Sequence, residues 1–144
     1  MNREIKFRVW DKKSKKMREL DMISFHNSRG CFDHDDSNLP KLITVWGRDC
    51  INDKDIILRR EEGDFVLMQF AGLPDKKGVD AYENDLAKHP SSKHLFEIVF
   101  YKGAFWLQSQ EPSLLKNNIK TNISHLEFCE IIGNSFTNPE LINK

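Results

Sequence analysis

Leu95-Phe96-Glu97-Ile98-Val99-Phe100-Tyr101-Lys102-Gly103-Ala104-Phe105-Trp106-Leu107-Gln108 is the stretch on which the fold turns. Two apolar-rich runs flank Lys102-Gly103, where glycine supplies the backbone freedom that a tight reversal needs. The reading is a β-hairpin. Phe96, Ile98 and Phe100 alternate onto one face, and Leu95, Val99 and Tyr101 onto the other. One face is expected to fill a core together with Leu107. The second apolar face suits contact with the N-terminal half, or burial between two copies of the chain.

The same grammar extends in both directions. Phe65 to Phe70 is a nearly continuous apolar run, the pattern of a strand covered on both sides. A turn-rich segment from Gly72 to Gly78 follows, where the chain is expected to reverse. At the start, Ile5, Phe7 and Val9 alternate with Glu4, Lys6 and Arg8, which predicts a strand over residues 4–10. A polar turn, Asp11 to Lys15, returns it as a second strand over Lys16 to Leu20, and Met22 to Phe25 reads as a third. Leu42 to Trp46 and Ile56 to Leu58 are further short β-like runs, separated by polar residues. Residues 26–40, with the acidic run Asp33-His34-Asp35-Asp36, read as an exposed loop. Downstream, Pro112 opens a short helix and Leu126 to Ile132 returns to a strand pattern. Asn138-Pro139-Glu140 is a helix-start signal of about one turn. Short strands, tight turns and brief helices favour a closed or sandwiched β arrangement.

Composition bounds the class. A chain of 144 residues suits one domain or two small ones, and a globule of this size buries roughly two-thirds of its unfolded surface without a staple. Ten Phe and three Trp make disorder a poor reading, because disordered chains lack such residues. Lysine and arginine together equal aspartate and glutamate at 22 each, which argues against a dedicated nucleic-acid coat. Cys31, Cys50 and Cys129 are odd in number and widely spaced, as a reducing compartment allows. The start, Met1 to Glu4, lacks the apolar stretch of a signal peptide, and no run approaches the roughly 18 apolar residues of a membrane span. A cytoplasmic protein is the expectation.

Candidate chemistry is sparse. The acidic run at 33–36 offers carboxylates and an imidazole, but lacks the glycine and terminal acid of a calcium loop, so it reads as solvated. Five scattered histidines show no catalytic spacing, and Gly72 to Gly78 carries a proline and an acid, Asp75, that spoil a phosphate cradle. No catalytic residue, metal or cofactor is expected. Residues 1–20 hold eight basic side chains against three acids. Lys12, Lys13, Lys15, Lys16 and Arg18 stand beside Trp10, a combination that can neutralise phosphates and stack a base. The plainer reading is an edge hairpin whose lysines block strand-to-strand aggregation, with Trp10 in the core. Trp46, Phe105 and Trp106 are candidates for an aromatic patch, with core packing of at least two the preferred reading.

Three stretches carry a resemblance. Arg3 to Asp11 with Met17 is the first. Met68 to Leu73, then Asp75, Gly78, Tyr82-Glu83 and Asp85-Leu86, is the second. Ile131-Ile132-Gly133-Asn134 with Asn138-Pro139-Glu140-Leu141 is the third. In this order they resemble the YopX family of phage and prophage proteins. The resemblance implies a gene carried by a phage or prophage of a Gram-positive-type host, and a C-terminal SH3-like β-barrel. It implies no catalytic residues. Gly72, Asp75, Gly78, Tyr82, Glu83, Asp85, Gly133, Asn134, Asn138 and Pro139 are therefore assigned structural roles. Where the family commonly has glycine, this chain has Asn84, a residue that tolerates positive φ, so a tight turn is expected there.

The combined expectation is a mostly β chain, with an N-terminal β-rich segment over 1–60 and an SH3-like barrel with one or two short helices over 61–144. Its expected role is a non-catalytic binding module in the bacterial host cytoplasm, for a phage or host protein. The alternative is a nucleic-acid-binding accessory factor using the basic hairpin. A metal-dependent hydrolase is the remote third.

Overall fold

A computed structural model of the chain describes residues 3–26, 42–51, 54–61 and 63–142, with backbone alone for 21, 22, 24–26, 42–51 and 54–61. The chain is mostly β. Two compact units divide it, one of residues 8–67 and one of residues 1–7 with 68–144.

In the unit of residues 8–67, β1 (Phe7–Asp11) and β2 (Lys16–His26) form the expected hairpin, pairing Val9 with Arg18 and Trp10 with Met17. The two runs read as separate second and third strands are one eleven-residue strand. A register shift between Leu20 and Met22 absorbs the break at Asp21. β3 (Leu42–Ile51) pairs with β2, and β4 (Lys54–Glu61) pairs with β3 along its whole length, so the polar residues 47–51 and 54–55 expected between short strands are themselves strand. Strand order here is β4-β3-β2-β1-β5, where β5 is Phe65–Pro74. Val9 and Phe65 make the small core, with Leu20, Ile23 and Leu67 packed on it. The expected strand over residues 4–10 begins only at Phe7, and Ile5 is 66% exposed. The acidic run at 33–36 lies outside the described residues.

In the other unit, β5 runs to Pro74 and pairs with β6 (Asp80–Tyr82). Strands β7 (Asp85–Lys88), β8 (Phe96–Tyr101), β9 (Ala104–Ser109), β10 (Lys120–Asn122) and β11 (Glu130–Asn134) form an antiparallel sheet of order β10-β9-β8-β7-β11. The sheet curls into a half-barrel, and its described ladders do not establish the SH3-like closure anticipated from the sequence. The decisive hairpin is present. Phe100 pairs with Phe105, and Lys102 and Gly103 sit at φ 48° and 79°. Positive φ at both central residues is the turn whose twist matches paired strands.

Ala81, Ala87, Ile98, Leu107, Leu126 and Cys129 form the core under this sheet, with Phe96, Phe105 and Ile131 packed against it. Phe100, expected to fill the core with Ile98 and Leu107, is instead 53% exposed. Alternation carries it to the inner face, but it sits next to the turn, beyond the reach of that core.

Two helical details differ from the pattern reading. Pro112–Lys116 is the expected short helix, α1. The run from Leu126, however, belongs to a 3₁₀ helix, Ile123–Phe128, before β11 begins at Glu130. The Asn122 side chain accepts the Ser124 N–H at 2.8 Å and opens it. The second 3₁₀ helix, Pro139–Leu141, follows Asn138 with Pro139 in its first turn. Asn138 makes no side-chain cap there, because its Oδ1 faces the N–H of Asn134 at 3.3 Å.

Candidate functional site

The positions shared with the family signature come together as corners, with their polar atoms spent on the backbone. Asp75 is 4% exposed. Its Oδ1 accepts the N–H groups of Lys77 (2.8 Å) and Val79 (2.9 Å), and its Oδ2 accepts that of Ile131 (2.9 Å). One carboxylate thus closes its own turn, where Gly78 has φ 83°, and ties it to β11, 56 residues away. Burial alone raises the carboxyl pKa. The three N–H donors outweigh that and hold it below its ordinary value.

The Tyr82-Glu83-Asn84-Asp85 corner follows the same logic. Asp85 Oδ2 accepts the Tyr82 N–H at 2.9 Å, and Glu83 Oε1 accepts the Gln69 N–H at 2.9 Å. The Tyr82 ring lies 5.7 Å from that of Phe70. Asn84 has φ 67°, as the tight-turn reading expected, and its Nδ2 donates to Glu97 at 3.0 Å. Asn84→Val should cost about 1–2 kcal/mol, because a β-branched residue resists the left-handed region, while Asn84→Gly should stay within about 1 kcal/mol. Denaturant melts of the two variants check the difference.

The last corner is the tightest. A Cβ on Gly133 would meet Oδ1 and Cγ of the Asn138 side chain, so a larger residue must push that side chain off its hydrogen bond to the Asn134 N–H. Asn134 Oδ1 accepts the Phe136 and Thr137 N–H groups at 3.1 and 2.8 Å. These are Asx-type turns.

The basic hairpin is divided by the structure. Asp11 is fully buried, accepting from Lys13 N–H (3.0 Å), Ser14 Oγ (2.6 Å) and Arg18 Nε (3.0 Å). Arg18 is 8% exposed and therefore leaves the set of cations open to a phosphate. Trp10 is half-buried, and Lys13 reaches Asp64 at 3.3 Å. Lys12, Lys15 and Lys16 are exposed, without an ion-pair partner among the described residues.

The aromatic candidates also separate. Trp46 has no described side chain, while Trp106 is half-buried and donates from Nε1 to the Tyr101 carbonyl at 3.0 Å. Phe105 packs on the core, and the Phe100 ring meets it edge-on at 5.1 Å. Beside them Ala71, Gly72, Gly103, Ala104 and Arg3 complete a concavity of about 360 Å³. Arg3 is exposed and has no ion-pair partner among the described residues. Sequence reasoning missed this place, since Arg3 and Phe100 lie 97 positions apart and only the exposure of Phe100 signals it. On the outer face, Tyr101 lies under the Lys120 ammonium at 4.0 Å.

Among the described residues no group of three histidine, cysteine or acidic side chains is placed to hold a metal ion. No described helix is long and apolar enough to cross a membrane.

Fold and corners define a class: a mostly β protein in which buried carboxylates and asparagines bind backbone N–H groups to lock the turns of a curled sheet. This chain belongs to the YopX protein family, whose match runs over residues 6–143. It is similar to protein EF1440 from Enterococcus faecalis, a crystal structure with 25% sequence identity and a TM-score of 0.58, over 99% of this chain and 100% of that one. No curated protein matches.

Proposed function

We propose that this protein is a phage or prophage accessory factor that acts in the cytoplasm of the bacterial host by binding a phage or host protein, without catalysis. The observation that carries the reading is the concavity beside the β8–β9 turn. An aromatic ring more than half exposed stands next to small residues and an arginine that has no ionic partner among the described residues. An apolar anchor with a charge at its rim is how a protein partner is typically held. The signature residues support the non-catalytic part. Asp75, Glu83 and Asp85 all accept backbone N–H groups, the work of turn-formers rather than of acids awaiting a substrate.

The nucleic-acid alternative rests on Lys12, Lys15 and Lys16 alone, now that Arg18 is neutralised by Asp11. Recovery of the tagged protein from host cells carrying the phage, with and without nuclease, separates the two. Capture of a protein that survives nuclease is expected, together with its loss in Phe100→Ala and its retention when Lys12, Lys13, Lys15 and Lys16 are replaced by alanine. Capture that vanishes with nuclease and with the lysines, and falls steeply with salt, would replace this reading by the alternative.

A further inference from the structure

A second concavity, of about 180 Å³, opens between the β8–β9 strands, the 89–94 loop and the 3₁₀ helix Ile123–Phe128. Its base is apolar: Phe96, Leu107 and Cys129. Burial pushes the Cys129 thiol up, so the sulfur is a neutral wall, and its S–H faces the His125 carbonyl at 3.4 Å. The rim is polar, with His89, Ser91, Thr121 and His125. This volume is of the order of a cavity that accepts benzene, roughly 150 Å³.

The rim offers a fixed donor at His89 and hydroxyls able to donate. His89 Nδ1 accepts the Ser91 N–H at 3.0 Å, so the neutral ring must carry its proton on Nε2, which is left as a donor. The hydroxyls of Ser91 and Thr121 have no hydrogen-bond partner among the described residues. Among the described residues, no aspartate or glutamate lines the space. The loop bearing His89 is already ordered: Ser92 Oγ both donates to the His94 carbonyl (3.0 Å) and accepts the His94 N–H (3.2 Å), and Ser92 N–H closes on the His89 carbonyl at 3.1 Å. Preorganisation of this kind lowers the cost of binding. Phe128, 51% exposed, has its ring 6.4 Å from those of both His89 and His125.

From an apolar base of ring size under a rim of hydrogen-bond donors, we infer a binding site for a small aromatic or branched-chain carboxylate, with the hydrocarbon on Phe96 and Leu107 and the carboxylate at His89, Ser91 and Thr121. The site is independent of the concavity at Phe100 and of any protein partner.

Amide-detected NMR titration with benzoate and with benzylammonium tests it, since the two share a ring and differ in the sign and hydrogen-bonding of the head group. Benzoate should give saturable shifts at residues 89–92, 107, 121 and 129 at millimolar concentrations, with an affinity about tenfold above that of benzylammonium. His89→Leu should weaken benzoate severalfold, and Thr121→Phe, which fills the mouth from an edge strand, should abolish the shifts while the spectrum stays dispersed. No saturable benzoate shift, equal affinity for the two probes, or benzoate binding that survives Thr121→Phe would overturn the assignment.

Discussion

Replacing Asp11 with alanine is expected to cost about 3–5 kcal/mol, the range for stranding one member of a buried ion pair. For a chain of this length that lowers the melting temperature by on the order of 10 °C. The Asp11 carboxylate is fully buried and holds three groups at once: the Lys13 N–H, the Ser14 hydroxyl and the Arg18 guanidinium. Its backbone carbonyl also accepts the Lys15 N–H at 2.8 Å, so the turn and the ion pair share one residue. The substitution leaves a guanidinium that is 8% exposed without its carboxylate, where water cannot replace it. Arg18→Met should be milder, because Asp11 keeps the Lys13 and Ser14 donors. In that background Asp11→Ala should cost distinctly less than in the parent, since the stranded charge is gone. Chemical denaturation of the four proteins of the cycle decides the matter. A loss below about 1 kcal/mol for Asp11→Ala, or an equal loss in both backgrounds, would show that the pair contributes nothing.

The second large effect belongs to Asp75→Asn, expected at about 2–3 kcal/mol at neutral pH, since hydrogen bonds to a charged acceptor contribute more than neutral ones. An amide can keep one oxygen toward Lys77 and Val79, but its NH₂ then opposes the Ile131 N–H, and β11 loses its tie to the turn. The pH dependence has a definite sign. The folded-state pKa of Asp75 lies below its ordinary value, so the unfolded chain takes up the proton first as pH falls. The stabilisation is complete above the unfolded carboxylate value of about 3.9, and is lost as pH drops below it through the depressed folded value. The parent should therefore lose this contribution in acid, and Asp75→Asn should show a flatter stability profile below about pH 4. Parallel slopes for the two proteins across that window would remove Asp75 from the account. Glu130 titrates nearby but differs in kind. Its pKa is lowered chiefly by the Lys77 ammonium at 2.5 Å on an exposed surface, where salt screens the pair.

Local pattern made the strands and turns legible. Lys102-Gly103 between apolar runs became the turn between β8 and β9, and Asn84 sits at positive φ, as its tight-turn reading required. Pro112 opened α1. The misreadings came where a local signal had two meanings. Leu126 to Ile132 is apolar enough for a strand, yet Asn122 caps a 3₁₀ helix over its first part, and Leu126 is buried while Glu127 and Phe128 face solvent. Met22 to Phe25 looked like a new strand because Asp21 interrupts the pattern, whereas a register shift lets β2 continue through it. The family residues were read as structural, and nothing local indicates that Asp75 reaches Ile131.

By itself the chain determined where it extends and where it turns, because those choices rest on interactions among neighbours: side-chain alternation, glycine or asparagine at positive φ, proline in a first turn. Only the tertiary structure decided which polar groups go inside and which aromatic stays out. Arg18 reads as a solvent-facing cation until Asp11 is seen buried beside it, and Phe100 reads as core until its ring is seen half bare next to Arg3. The reason is physical. Burial and the partnering of charge are set by groups brought together from distant parts of the chain, and no periodicity in the sequence reports that distance.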